Sequence, residues 1–335
     1  MKEQPTALVL GATGGIGGEV ARQLLDTGWR VRGLRRGPAA TAANPGGIEW
    51  ISGDALDAAA VSAAARGCAL IVHAVNPPGY RRWSELVLPM IDNTIAAARA
   101  HRANVVLPGT VYNYGPDAFP VLDERSPQRP VTRKGAIRVE LERRLATAAE
   151  AGDIRVIVVR AGDFFGPRCG NSWFTQGMVK PGSVARTVQL PGRAGVGHQF
   201  AFLPDVARTM VELARRRHEL PAFASFHMAG HWDADGLGFG RAIQRVMTRH
   251  GLEEPRLKAF SWWMVRLLSP FVATLRELLE MRYLWQQEVR MDNSRLVAFL
   301  GHEPHTPLDS AIEATLAGIG CLGGAAATTA QPAPT

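Results

Sequence analysis

Lys134 and Arg138, in the stretch VTRKGAIRVELERRL at 131–145, stand four residues apart, a spacing that puts both side chains on one face of a helix. Arginine is permanently cationic, and its charge disfavours a proton on a neighbouring amine. Sheltered from water, Lys134 would exchange a proton with a reacting oxygen as general acid or base, while Arg138 would donate hydrogen bonds to hydroxyl groups. A neutral lysine beside a carbonyl could also form a Schiff base, although no other feature points that way. Glu140 and Glu142 stand in the same segment, and the plainer alternative is that Lys134 pairs with a carboxylate at a solvated edge.

A second group of residues suits a phosphate. TALVLGATGGIGGEVARQLLDTGWRVRGLRR holds a short apolar run, the glycines Gly11, Gly14 and Gly17 in a G-x-x-G-x-x-G spacing, and a helical period closing near Gly28. Glycine lets the chain turn sharply and lets a phosphate approach the backbone, and the helix N-terminus then offers unpaired N–H groups. Between a strand and a helix this pattern reads as a dinucleotide site, with Gly11, Thr13, Gly14, Gly15, Ile16 and Gly17 in contact with the ligand. Arg35 and Arg36 follow the second strand, where an acidic residue would bind the ribose 2′-hydroxyl of NAD. Arginine there suits the 2′-phosphate of NADP, so NADP is the expected cofactor and NAD the less favoured one. Asp54, just past the third strand, would accept from an adenine amino group, and Ala74, at the end of the fourth, completes the cofactor set. His73 beside it reads as a satisfied core histidine rather than a base.

These residues need a scaffold of alternating apolar strands and amphipathic helices, and 335 residues are enough for one. The expected fold is α/β, a Rossmann-type doubly wound parallel sheet with a smaller, discontinuous α/β substrate lobe. Residues 1–167 would form the dinucleotide-binding domain, rejoined by the chain at about 198–231, with 168–197 and 232–320 forming the lobe and 321–335 a disordered tail. A net charge of +8, carried almost wholly by arginine, could attract nucleic acid or an anionic membrane surface. The arginines are spread along the chain, however, and the densest run, LARRRHEL at 213–220, closes an apolar-periodic segment where cations suit a helix C-terminus. No nucleic-acid partner is therefore expected. Three cysteines without paired spacing fit a reducing cytoplasm. No uninterrupted apolar run reaches the roughly 18 residues of a transmembrane segment.

With these residues placed, the chain resembles the extended branch of the short-chain dehydrogenase/reductase superfamily, the NAD-dependent epimerase/dehydratase-like proteins. The resemblance runs over residues 6–315. It rests on the glycine motif, GDALD, VVLPGTVYNYG at 105–115, RAGDFFGP at 160–167, FLPDVARTMVEL at 202–213 and MDNSRLVAFLGHEPHTPLDSAI at 291–312. It implies a Ser/Thr, a Tyr and a Lys as the reacting set. Thr110 matches the hydroxyl, whereas Lys134–Gly135–Ala136–Ile137–Arg138 stands where the family has Tyr-Gly-x-x-Lys, with Glu142 beyond it. On this resemblance Thr110 would orient the substrate oxygen, Lys134 would carry the proton and Arg138 would hold the nicotinamide ribose. Tyr80 is the best substitute for the missing tyrosine, ahead of Tyr112 and Tyr114.

The second half carries further candidates. Asn171, Trp173, Phe174 and Gln176 fall at the start of the expected lobe and could line a pocket. The pairs His227/His231 and His302/His305 lack a third ligand nearby, so no metal is expected. In AFSWWMVRLLSPFVATLRELLEMRYLW, 259–285, Phe260, Trp263, Leu267, Phe271, Leu275 and Leu278 repeat at helical spacing, with Pro270 as a break. The stripe is expected to pack on the lobe's own core, the alternatives being an apolar substrate mouth or contact with a membrane surface or partner. Together these features predict an NADP-dependent oxidoreductase acting on a carbonyl or alcohol of an apolar small molecule, in a chain that could pair as a homodimer. A non-catalytic redox sensor is the alternative, and a nucleotide-sugar epimerase or dehydratase the third.

Overall fold

The strand β1 (Thr6–Leu10) is buried on both faces, with Ala7 and Val9 turned to one apolar cluster and Leu8 and Leu10 to another. That two-sided burial is the mark of a central parallel strand covered by helices above and below. The structure, a computed structural model, describes residues 4–37, 46–77, 82–170 and 172–323. After β1 come α1 (Gly15–Asp26), β2 (Arg30–Arg35), β3 (Ile48–Ser52), α2 (Ala58–Ala65), β4 (Leu70–His73), α3 (Trp83–His101) and β5 (Asn104–Gly109). The chain continues through β6 (Val121–Leu122), α4 (Arg133–Glu150), β7 (Val156–Arg160), β8 (Asp163–Phe165), β9 (Thr187–Leu190), β10 (His198–Phe202), α5 (Leu203–Arg215) and β11 (Phe223–His227). It ends with β12 (His231–Asp233), α6 (Gly238–Arg249), β13 (Arg256–Ala259), α7 (Trp262–Leu268), α8 (Ala273–Glu280), β14 (Arg290–Met291), α9 (Ser294–Leu300) and α10 (Leu308–Gly318).

Seven parallel strands form the main sheet in the order β3-β2-β1-β4-β5-β7-β11. α1 and α5 pack on one face through Val20, Leu24, Val206 and Met210. α2, α3 and α4 pack on the other through Val61, Ile91, Ile137 and Leu141. The strand order reverses between β1 and β4, which leaves a crevice at their C-terminal ends, the place where doubly wound sheets receive ligands. The fold is therefore the Rossmann-type doubly wound sheet that the sequence implies.

A separate core surrounds Phe165, Phe200, Phe202, Phe239 and Trp285. It is built from the small sheet β12-β10-β8, the β13-β9 pair and the helices α6 and α10. Strand β10 belongs to this small sheet, so the chain rejoins the large layer at α5. Two carboxylates fasten the C-terminal segment to that layer. Asp205, at the start of α5, accepts from the Thr306 N–H (2.6 Å) and hydroxyl (2.8 Å). Glu303 accepts from the N–H groups of Ala229 and Gly230. The arginine run at 213–220 closes α5 as its charges suggest, with Arg216 donating to the Phe299 carbonyl and Arg217 to that of Ala214. The tail from residue 324 lies outside the described residues.

Candidate active site

At the crevice the loop from β1 to α1 is pressed against the end of β4. A Cβ on Gly17 would lie 2.2 Å from the Gly11 carbonyl oxygen and 3.2 Å from the Ala74 Cβ, so only glycine lets α1 start this close to both. Gly14 caps α1 without any side-chain hydrogen bond, which leaves the first N–H groups of the helix turned to an incoming anion. Thr13 is exposed on this turn, and Gly15 and Ile16 are half-buried. Farther along the same sheet edge the Arg35 guanidinium lies 5.1 Å over the Trp50 ring, Arg36 is exposed, and an Asp54 oxygen accepts the Leu56 N–H at 3.0 Å. Of the residues expected at a dinucleotide, Gly11, Gly17 and Ala74 meet at this crevice, and Ile16 and Arg138 line the adjoining cavity.

The other end of the crevice is set by α4. Thr132 caps that helix by accepting the Gly135 N–H at 3.0 Å. A Cβ on Gly135 would meet the Tyr112 carbonyl oxygen at 2.2 Å, so glycine brings the first turn of α4 against the short turn that follows β5. Lys134 and Arg138 consequently enter the wall of a cavity of about 280 Å³, together with Thr110, Asn76 and Trp83, and Ile16 of the glycine loop lines the same cavity. They are 5% and 4% exposed, so Lys134 is not at a solvated edge. Glu140 is taken by Arg143 and Arg144, and Glu142 by Arg160 and Asn113. The Lys134 ammonium lies 5.8 Å and the Arg138 guanidinium 5.3 Å over Trp83, whose electron-rich face is a floor for both cations. Arg138 donates to the Asn76 side-chain oxygen at 2.6 Å. Its buried Nε has no hydrogen-bond partner among the described residues.

Behind this wall lies a buried polar network. Arg160, 1% exposed, makes a two-pronged ion pair with Glu142 at 2.7 and 3.0 Å and donates to the Thr110 carbonyl. The Thr110 hydroxyl donates to Asn113, which in turn donates to Glu142. The donor of Thr110 is thus engaged from behind, and its lone pairs are the part left for a substrate hydroxyl. Tyr114 is buried with its hydroxyl 3.2 Å from His227 Nε2, so it belongs to this network and not to the cavity. Tyr112 does line the cavity, and Tyr80 lies outside the described residues. Burial, with the Arg138 charge second, pushes His73 down to about 3, and its ring bonds Thr94 at 2.8 Å, the satisfied core role expected of it.

The opposite wall comes from the second core. Trp173 and Gln176 line the cavity, whereas Phe174 packs inside that core against Phe165 and Phe239, and Asn171 is outside the described residues. Sequence reasoning passed over Asp163, whose carboxylate is held at 2.7 Å by His198 Nε2 while both residues face the cavity. A polar residue opening β8 is visible in RAGDFFGP; its histidine, 35 positions away, is not. The stripe at 259–285 divides. Phe260, Leu278 and Met281 line the cavity, but Trp263, Leu267 and Phe271 face water instead of a core, because α7 turns only Val265 inward. Each histidine pair splits, and His231 and His305, one from each, lie with ring centroids 4.5 Å apart. His227 sits in the Arg160 network, His302 lies beside Glu212 at the surface, and no metal-sized cluster of three or more His, Cys, Asp or Glu occurs among the described residues.

The residues present fit a dinucleotide. The glycine contact leaves room for a pyrophosphate at the helix terminus, and Arg138, whose buried Nε has no hydrogen-bond partner, lines the adjoining cavity. The chain matches the family model described as "NAD dependent epimerase/dehydratase family" over residues 7–227. Similar solved structures include a Brucella ovis UDP-glucose 4-epimerase in complex with NAD (15% identity, TM-score 0.69, covering 94% of this chain and 98% of that one). Another is the Bordetella bronchiseptica enzyme WbmH in complex with NAD+ (17% identity, TM-score 0.65, 94% and 98% covered). A third is MoeE5 in complex with UDP-glucuronic acid and NAD (17% identity, TM-score 0.69, 94% and 98% covered). At these identities the likeness establishes the fold. No curated protein sequence matches the chain at a significant level.

Proposed function

The chain belongs to the NAD dependent epimerase/dehydratase family, and we propose that it binds NAD and catalyses hydride exchange at a hydroxyl- or carbonyl-bearing carbon. The observation that carries this reading is the pair of buried cations, Lys134 and Arg138, on the wall of a cavity also lined by Thr110, Asn76 and Ile16. Bound there, the nicotinamide would supply or accept the hydride. The glycine loop and the α1 terminus would hold the pyrophosphate, and Arg138, steadied by Asn76, would hold ribose hydroxyls through its remaining donors. Lys134 takes the place of the family's tyrosine, giving a proton to the substrate oxygen in reduction and removing it in oxidation. Thr110 would accept a hydrogen bond from the substrate hydroxyl and so fix the oxygen within reach of Lys134.

The NADP expected from Arg35 and Arg36 has no support from the relatives, whose complexes hold NAD. The Arg35 guanidinium, stacked on Trp50, has packing as its other role. NADH is therefore expected to bind at least as tightly as NADPH; a strong preference for NADPH would return both arginines to the 2′-phosphate.

For the substrate, Trp173, Phe260, Leu278, Met281 and Leu284 support an apolar body around the reacting carbon. A nucleotide sugar is the second reading, supported by the UDP-sugar complex of MoeE5 and by Asp163, Gln176 and Gln199 on the same cavity. The test incubates the protein and NAD with a panel of UDP-sugars and a panel of apolar alcohols and ketones, following both nicotinamide absorbance and product identity. Turnover that Lys134→Ala abolishes, with NADH affinity retained, supports the proposal. Full turnover by Lys134→Ala overturns the assigned proton path. NADH binding without turnover of either class favours a non-catalytic sensor.

A further inference from the structure

Asp163 and His198 line the cavity from the second core, and the proton path through Lys134 and Thr110 uses neither. Asp163 opens β8 and His198 opens β10, and these strands pair in parallel with Asp163 in register with Phe200. Side chains alternate along a strand, so His198 stands on the same face as Phe200 and its neighbour Asp163. The imidazole is fixed by packing. It stacks on the Trp285 ring with centroids 3.6 Å apart and planes 13° apart, and it meets the Phe200 ring edge-on at 4.9 Å. Its Nε2 lies 2.7 Å from one Asp163 oxygen, and since a carboxylate only accepts, Nε2 carries the proton and donates it. A carboxylate has about four acceptor sites, and among the described residues His198 is the hydrogen-bond donor that takes one of them. The histidine is buried, whereas the Asp163 side chain is 31% exposed, so the carboxylate is the member open to a ligand.

The two walls of the cavity carry different charge. Lys134 and Arg138, the cations on the lining, both come from α4 and serve the nicotinamide end in the proposed scheme. Among the described residues, the wall from the second core contributes Asp163 and no lysine or arginine. A carboxylate in a half-enclosed cavity holds a hydrogen-bond donor strongly and repels an anion. A substrate hydroxyl or ammonium would therefore take the open acceptor sites of Asp163. A diphosphate or carboxylate set against this wall would meet like charge and no cation to hold it, which is how an unpaired charge rejects the wrong ligand. The sugar hydroxyls of a nucleotide sugar suit Asp163, but its diphosphate does not. Trp173, Phe260 and Met281 on the same lining fit an apolar body joining the donor to the reacting carbon.

We propose that Asp163 determines the specificity of this cavity, selecting apolar substrates that carry a second, hydrogen-bond-donating group, a hydroxyl or an ammonium, and rejecting anionic ones, with His198 as its positioning residue. The selection rests on the proposed reading of the cavity as a substrate site, and it separates the two substrate classes considered there. The probes are benzylacetone, its para-hydroxy, para-aminomethyl and para-carboxy derivatives, and UDP-glucose, titrated by calorimetry into the full chain with and without saturating NADH. The para-hydroxy and para-aminomethyl compounds should bind at least about tenfold tighter than benzylacetone, the usual size of a hydrogen bond to a charged acceptor. The para-carboxy compound and UDP-glucose should bind at least about tenfold more weakly than benzylacetone, through like-charge repulsion. Asp163→Leu should bring the four ring compounds within about threefold of one another, because the donors' advantage and the carboxylate's penalty vanish together. If that variant loses NADH affinity through misfolding, Asp163→Asn carries the same test, levelling the aminomethyl and carboxy compounds against benzylacetone. His198→Phe keeps a ring on Trp285 but withdraws the N–H, so the donor preference should shrink while benzylacetone binds as before, and His198→Gln, which retains a donor, should restore part of it. Equal weakening of every ring compound by His198→Phe would overturn the positioning role. A donor advantage that survives in Asp163→Leu, para-carboxy or UDP-glucose binding tighter than benzylacetone, or no binding of the ring series each overturns the proposal. Donor selection that Asp163→Leu removes, in a chain without affinity for NADH, would support it and overturn the proposed NAD chemistry instead.

Discussion

Helices α4 and α7 invert the usual order of a soluble protein in opposite directions. α4 buries three charged side chains, Lys134, Arg138 and Glu142, at successive four-residue steps, while α7 and its turn expose three large apolar ones, Trp263, Leu267 and Phe271, at the same spacing. Charge is rarely buried without a partner, and large apolar groups are rarely left in a row at the surface. In α4 the departure is compensated from within, since Arg160 and Asn113 engage Glu142, Asn76 engages Arg138, and Trp83 underlies both cations. In α7 no compensation is visible within the described residues, and its complement is to be sought outside the chain. One helix is a built site and the other a built surface.

The comparison breaks first if the buried charges of α4 are not held by the network behind them. Glu142→Leu would leave Arg160, the largest fully buried side chain among the described residues, without its counter-ion. Such unpaired burial typically costs about 3–5 kcal/mol. Urea unfolding of the variant should show a loss of that size, and a loss below about 1 kcal/mol would mean that water or a rearranged Asn113 replaces the pair. The same substitution removes the support of Thr110 through Asn113, so any catalytic rate should fall as well.

Lys134→Ala is the sharper test of the cavity wall itself. If Lys134 transfers the proton, kcat should fall about 10²- to 10⁴-fold, the usual worth of a positioned acid or base. NADH affinity should stay within about threefold, because the neighbouring Arg138 holds the ribose in this scheme. A loss of NADH affinity with kcat unchanged would reverse the two roles. Tyr112→Phe is the control, since Tyr112 is the described tyrosine that lines the cavity, and it should leave kcat largely intact.

Much of α4 was legible before any coordinates. The i, i+4 spacing of Lys134 and Arg138 and the Gly135 between them are local signals, and the doubly wound sheet follows from the glycine loop and alternating apolar strands. The partners of these residues were not legible, because they arrive across 62 residues for Arg138–Asn76 and 35 for Asp163–His198. Proximity of that kind is created by the sheet order and leaves no spacing to read. The 259–285 stripe misled for a different reason. Helical periodicity reports that one face is apolar, but not whether that face meets a core, and no spacing within 259–285 separates the two cases.

A pH profile tests the buried wall at lower amplitude. Burial pushes His73 and His227 down to about 3 and His231 to about 4, with the charges of Arg138, Arg160 and His305 respectively adding to the effect. His227 cannot readily gain a proton where it sits, since its Nε2 accepts from the Arg160 guanidinium. Unfolded histidine titrates near 6.5, so between about pH 6.5 and 3–4 the unfolded chain binds protons that the native protein refuses. Stability is therefore full above pH 6.5 and lost as pH falls, with a slope approaching about 1.4 kcal/mol per pH unit for each such group. His73→Gln should flatten the slope by one group's share. An unchanged profile would show that His73 is protonated in the native state and that the Arg138 wall is less closed than described.

The smallest effect is expected from the exposed ridge, and it separates the two helices most cleanly. Trp263→Ser, Leu267→Ser and Phe271→Ser remove large apolar groups, yet each should change unfolding free energy by no more than about 0.5 kcal/mol, because little area leaves water when the chain folds. Val265→Ser, on the inner edge of the same helix, should cost about 1–3 kcal/mol by placing a hydroxyl in its buried position. Thermal melts of the four single variants decide the matter. If Leu267→Ser proved as damaging as Val265→Ser, the ridge would be packed against another part of the chain in solution, and α7 would be an ordinary core helix. If the three ridge variants are silent in the melt and only Val265→Ser is not, the apolar face contributes little to folding, and its retention needs an explanation in what it touches.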